Sequence, residues 1–199
     1  IVNPLAAAEI GIIEGTVLYL TQIFSSNNRT QLLTETNKSF YYEYVFNRII
    51  ISLVILIVFR LFLTDIDFIE FDFHFWLICV LLTSWINELI FTRLEKDNFQ
   101  FFLTFFIFFQ AIFYLSCTYS VLNEFTYFNI ILQLFLSVHL LSIIFFVRFS
   151  ILLKTKFNFT TLLKNKFSFF LTFFNTFSIL VWRYSFIFFT NKEISGIFF

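Results

Sequence analysis

Five runs of mostly apolar residues, each close to the length of a bilayer crossing, dominate this chain. They cover 46–63, around "IIISLVILIVF"; 73–91, "FHFWLICVLLTSWINELIF"; 99–122, "FQFFLTFFIFFQAIFYLSCTYSVL"; 128–152; and 167–189. A helix needs about 20 such residues to cross the hydrocarbon of a membrane. A sixth candidate, 5–24, carries Glu9 and Glu14 and is the least apolar of the set. Phenylalanine alone fills 37 of 199 positions, against three glycines and one proline, and 13% of residues are charged. A soluble core of this length has too little polar surface to cover so many aromatic rings, so the expected solvent is a bilayer.

Within lipid every backbone amide must be satisfied by the chain itself, which leaves helices and closed barrels. These runs are apolar at both odd and even positions, whereas barrel strands alternate. The expected fold class is therefore all-α: a polytopic transmembrane helix bundle with five firm spans and one possible N-terminal span. It divides into an N-terminal segment, 1–45, with a membrane or interfacial helix, and a bundle over 46–199.

The links between runs sort by charge. The segment 25–48, which reaches the start of the first run, carries Arg29, Lys38 and Arg48; "TDIDFIEFD" follows the run with Asp65, Asp67, Glu70 and Asp72 and no base. Arg93 and Lys96 come next, then Glu124 alone, then Lys154, Lys156, Lys164 and Lys166, with Lys192 and Glu193 in the tail. Basic and acid-only links alternate, as the positive-inside bias demands if each run crosses once. The basic side then faces the matrix or cytoplasm, and the C-terminus faces the opposite compartment.

The surplus of Phe, Leu and Ile suggests a T-rich coding strand of the kind found in mitochondrial genomes, which retain genes for hydrophobic respiratory subunits. The mitochondrial inner membrane is thus the expected location. Thirteen bases balance thirteen acids, so charge gives no nucleic-acid footprint. Cys79 and Cys117 lie in apolar runs without CxxC spacing and read as inert thiols. The first twenty residues lack the basic start of a cleavable signal.

Ionisable groups at membrane depth are candidate functional sites. Arg60, Arg148 and Glu88 stand near run ends, where their side chains can reach the interface, and Arg183 in "VWRYSF" can do the same. His139 lies deep in its run and is expected to be neutral and to bond a neighbouring helix; His74, at the far end of another helix, is not placed to pair with it around a haem. Glu9 and Glu14 are five positions apart, about 140° around a helix, so they do not share a face. Glu9 follows three alanines, small enough for another helix to approach. A buried proton-carrying carboxylate and an interfacial acid in water both fit those residues. No Walker loop, nucleophile elbow, zinc spacing or carboxylate pair occurs, so no catalytic, metal or cofactor-binding residue is expected.

Several stretches resemble subunit III of cytochrome c oxidase. "FLSVH", 135–139, stands where that family has Phe-His-Gly-Leu-His, and "LLSIIFFVRFSILLKTKFNFT" continues into a similar basic exit. "FFIFFQAIFYLS" is similar to the family's third helix, with Gln110 in place of a glutamate. "SWINELI" is similar to the Trp-Trp-Arg-Asp-Val-Ile ending of its second helix, with Trp85 and Glu88 matching in kind. The likeness spans about 68–182. Asn175 and Ser178 replace a His and an Asp of the last helix, and the family's glycines and most of its histidines are missing. The resemblance implies a non-catalytic subunit without cofactors that packs on the catalytic oxidase subunit, holds phospholipids and supports proton supply. His139 would orient a helix contact, and Trp85 with Glu88 would fix the matrix end of a helix. "EIGIIEGTVL" is also similar to the family's fourth helix.

Two alternatives remain. "AAAEIG" resembles a proton-channel subunit of NADH dehydrogenase, which would make Glu9 the working carboxylate; a proton-path subunit of ATP synthase would instead use Arg183. A lineage-specific scaffold of one of these complexes is the other.

Overall fold

A computed structural model describes residues 4–25, 28–34, 38–62, 71–122, 128–158 and 166–189. Among these residues the chain is all helical, with no strand. Eight helices follow in order: α1 Pro4–Ser25, α2 Asn28–Thr34, α3 Lys38–Phe62, α4 Phe71–Lys96, α5 Gln100–Leu122, α6 Phe128–Phe146, α7 Phe149–Leu152 and α8 Lys166–Phe189. Each of the five apolar runs holds one long helix, and the sixth candidate is α1.

Two helical stretches, Phe40–Leu61 and His74–Lys96, are long and apolar enough to cross a membrane. Four others are apolar but shorter: Ile10–Ser25, Gln100–Ser116, Ile130–Phe146 and Phe169–Trp182. Hydroxyls inside these helices fold back onto their own backbone. Thr16 donates to Ile12 O at 2.7 Å, Thr83 to Cys79 O at 2.8 Å, Thr92 to Glu88 O at 2.8 Å and Ser116 to Ile112 O at 2.8 Å. That bond satisfies a hydroxyl without water or a neighbouring helix.

α4 is the hub, packing against α1, α2, α3, α5 and α6. One buried cluster joins Ile13 and Val17 of α1, Ile51 and Ile55 of α3, Leu77, Ile78 and Leu82 of α4, and Leu132 and Phe135 of α6. A second, toward the other end, joins Leu32 of α2, Tyr41, Tyr44 and Val45 of α3, Leu89 and Ile90 of α4, and Ile143 of α6. α1 runs antiparallel to α8: Phe24 meets Phe169 at 6.2 Å, and Thr16 Oγ1 lies 3.1 Å from the Tyr184 hydroxyl. The N-terminal helix is therefore part of the bundle, and a boundary at 45/46 falls inside α3.

Two helix ends differ from the sequence expectation. α3 begins at Lys38, several residues ahead of its apolar run, because Tyr41, Tyr42, Tyr44 and Val45 bury their side chains. The 128–152 run breaks after Phe146, and α7 restarts at Phe149. α4 ends in a tight reversal into α5. Asn98 takes φ 61°, Phe99 N–H donates to Leu94 O at 2.8 Å and Asn98 N–H to Glu95 O at 3.2 Å. This is a Schellman cap with asparagine in the left-handed position that its short side chain tolerates.

The basic links gather at one end. Arg29 of α2 pairs with Glu95 of α4 at 2.8 Å, and Lys96 Nζ donates to Leu32 O at 2.8 Å. Arg93 lies over the Tyr41 ring at 4.6 Å. Asn47 of α3 grips the segment after α7 twice: its Nδ2 donates to Asn158 O at 2.9 Å, and Asn158 N–H donates to its Oδ1 at 3.1 Å. The start of α3, the end of α4 and residues 154–158 thus share an end. The acidic link 63–70 and the link 123–127 lie outside the described residues.

Candidate functional site

Two buried polar clusters, both built on α4, bring together four of the six sequence candidates. The first centres on His139 of α6, whose side chain is 1% exposed. Asn87 of α4 places Nδ2 2.6 Å from His139 Nδ1 and 3.2 Å from the His139 carbonyl oxygen. A carbonyl only accepts, so the atom facing it is the amide nitrogen, and the orientation of Asn87 is thereby decided. The same nitrogen donates to Nδ1, which must then be unprotonated, and the ring proton sits on Nε2.

Ser142, one turn along α6, donates to Asn87 Oδ1 at 2.6 Å and stands 2.7 Å from His139 O. Gln110 of α5 brings Nε2 to 3.2 Å from His139 Nδ1. Phe135 covers the ring, 4.6 Å between centroids, and is itself stacked on Phe113 of α5 at 5.6 Å. The imidazole of α6 thus meets side chains of α4 and α5, and its Nδ1 faces their amide nitrogens. His139 Nε2 is buried with no partner among the described residues.

The second cluster holds Trp85 and Glu88 and adds Arg48, which the sequence did not single out. Arg48, which the sequence places with the link before the first run, is completely buried, about ten residues and roughly 15 Å into α3. Its Nη1 donates to Glu88 Oε2 at 2.8 Å and also to the carbonyl of Trp85. The guanidinium carbon stands 4.8 Å from the Trp85 ring centroid, a cation–π contact. Trp85 Nε1 donates in turn to Ser25 Oγ of α1 at 2.5 Å, so three helices meet here. Glu88 is unlike its partner: 46% of its side chain is exposed, so the ion pair reaches from the interior to the bundle surface.

The remaining candidates lie elsewhere. Glu14 of α1 accepts a hydrogen bond from the Tyr114 hydroxyl of α5, away from both clusters. Glu9 falls within α1, but its side chain lies outside the described residues, as does that of Arg183. His74 is buried near the start of α4, at the opposite end of that helix from Arg93. Among the described residues no group of three or more His, Cys, Asp or Glu side chains could hold a metal ion. Asn87, Ser142 and Arg48 were missed. Their sequence signal is a polar residue inside or at the rim of an apolar run, and pairing them takes the helix packing.

What this arrangement does chemically is hold helices in register. It offers no nucleophile paired with a base among the described residues. No protein-family model matches the chain, and no curated protein or solved structure is significantly similar to it.

The asymmetry of the ion pair gives a test. Glu88→Ala strands a fully buried guanidinium and should cost on the order of 3 kcal/mol. Arg48→Met leaves a carboxylate that already reaches the surface and should cost less. The double variant should be no less stable than Arg48→Met alone in detergent unfolding measurements; a double variant as unstable as Glu88→Ala would remove the pair from this account. For the imidazole, nitrogen-15 chemical shifts of labelled His139 should show the proton on Nε2. Asn87→Leu, which removes the donor to Nδ1 and the acceptor for Ser142, should change that signature and cost about 1–3 kcal/mol.

Proposed function

We propose that this chain is a non-catalytic, multi-pass core subunit of a respiratory complex of the mitochondrial inner membrane, similar to subunit III of cytochrome c oxidase. On this reading the five firm runs each cross the bilayer, with α1 packed against them and the basic links on the matrix side. The chain holds no cofactor, and its partners are the catalytic oxidase subunit, other subunits of the complex and phospholipids.

The observation that carries the proposal is the outer surface. α5 exposes Phe101, Phe102, Phe105, Phe108, Ile112 and Leu115, with Phe101 80% uncovered. α8 exposes Phe170, Phe174, Phe177 and Trp182 and packs mainly on α1. A contiguous aromatic face of this kind is covered by lipid or by another apolar subunit. The interior adds support: Arg48, Asn87 and Gln110 pair across helices, and Thr16, Thr83, Thr92 and Ser116 bond their own backbone, the kind of internal pairing that a water-free surround favours.

The resemblance names the complex. Its three stretches contribute Trp85 with Glu88, Gln110 and His139, and these residues make the interhelical contacts described above. Gln110 does not ionise, so a proton role for the family's glutamate is not carried by this side chain. The support for proton supply is then indirect, through the packing of the catalytic subunit.

Mild detergent extraction of the source membranes, native-gel separation and peptide mass spectrometry test the assignment. Peptides of this chain should run with the band that oxidises cytochrome c. Their presence only with NADH dehydrogenase or ATP synthase would replace the proposed host, and their absence from every respiratory band would overturn the proposal.

A further inference from the structure

At the end of the bundle that carries the described basic residues, the first turns of α3, α7 and the segment after it border an open recess of about 440 Å³, within the range of small-ligand sites. Its lining has an unusual charge pattern. Lys154 and Lys156 line it from the segment after α7, and Glu43 lines it from α3. The lysines are exposed, Glu43 is half-buried, and none of the three is in an ion pair among the described residues. Two bases and one acid therefore line one recess, with no ion pair between them among the described residues. The wall is held in place by the double Asn47–Asn158 bond, which fixes the segment carrying both lysines to α3.

The apolar part of the lining points to what surrounds the ligand. Ile151 and Phe157 line the cavity, both are exposed, and Leu153 beside them is 82% uncovered. A charged recess bordered by outward apolar side chains is suited to a molecule with a polar head and a hydrocarbon tail. Basic pockets at the inner ends of membrane helices bind phospholipid headgroups. Here the added carboxylate selects further.

We propose that this cavity binds a phosphoethanolamine group, with the phosphate between Lys154 and Lys156 and the primary ammonium at Glu43. A phosphate and an ammonium two carbons apart match two bases facing one acid. An ethanolamine ammonium donates hydrogen bonds to a carboxylate, which the quaternary ammonium of choline cannot do. A glycerol headgroup offers Glu43 hydroxyl donors but no positive charge. The group is carried by a membrane lipid or as the free phosphomonoester. The lipid source rests on the bilayer reading of the preceding subsection.

Native mass spectrometry of the full chain in mild detergent tests this, with phosphatidylethanolamine, phosphatidylcholine and phosphatidylglycerol of matched acyl chains added in turn. The ethanolamine lipid should be retained several-fold more than the choline lipid. Glu43→Gln should abolish that preference and raise phosphatidylglycerol binding, while Lys154→Gln with Lys156→Gln should weaken both. Competition by free phosphoethanolamine at similar concentration would support the site with a soluble source; no competition would support the lipid. Equal retention of all three lipids by the unaltered chain overturns the proposal, whatever the variants do. Carbonate extraction separates the two readings. A chain that stays in the membrane fraction but shows no selectivity sinks this inference alone, and a chain released by carbonate sinks the bilayer reading and the lipid source with it.

Discussion

Arg48 has no contact with solvent, so every partner its guanidinium finds must come from the chain. α4 supplies them on one stretch: the Trp85 carbonyl, the Trp85 ring and the Glu88 carboxylate. A buried charge without a partner is among the most destabilising features a fold can contain. The alignment of α3 on α4 therefore has little freedom. Trp85 passes the constraint to α1 through Ser25, and Asn87, two residues on, passes it to α6 through His139 and Ser142. A single turn of α4, Trp85 to Glu88, thus sets the positions of three other helices.

That economy matters because the apolar contacts specify little. The helices are rich in Phe, Leu and Ile, and rings such as Phe105 and Phe109, 4.6 Å apart, sit on a surface that neighbouring rings could cover almost as well. In lipid, packing one apolar face on another gains no hydrophobic free energy relative to packing it on acyl chains. Close approach through small residues is not available either, since the chain has only three glycines. Polar groups that must be satisfied internally are then the features that distinguish one helix register from the next.

The part of the fold legible in the sequence is the part that a water-free backbone dictates. Apolar length alone located the five long helices, because any such run must satisfy its own amides. The helix ends were less visible. α3 starts early because tyrosines, which look polar in a sequence, bury their rings against α4. The His139 contact was legible as a need, an imidazole in an apolar run requiring a partner, but Asn87 lies 52 residues away and only packing brings it there. Arg48 was hidden more thoroughly. At the rim of an apolar run it looks like one more cation of a basic link, and its burial follows from the early start of α3.

The described helices form a bundle with aromatic outer faces, which on the proposed reading meet lipid and neighbouring subunits. The structure gathers Arg29, Arg93, Lys96, Lys154 and Lys156 toward one end, and the acid-only links are expected at the other. Single cysteines placed at Asp67, Asp97 and Lys156, in a chain whose own Cys79 and Cys117 are replaced, can be labelled by an impermeant thiol reagent in sealed vesicles. Positions 97 and 156 should react from one compartment and position 67 only from the opposite one. Labelling of 67 and 156 from the same compartment would contradict the crossing pattern on which the account depends.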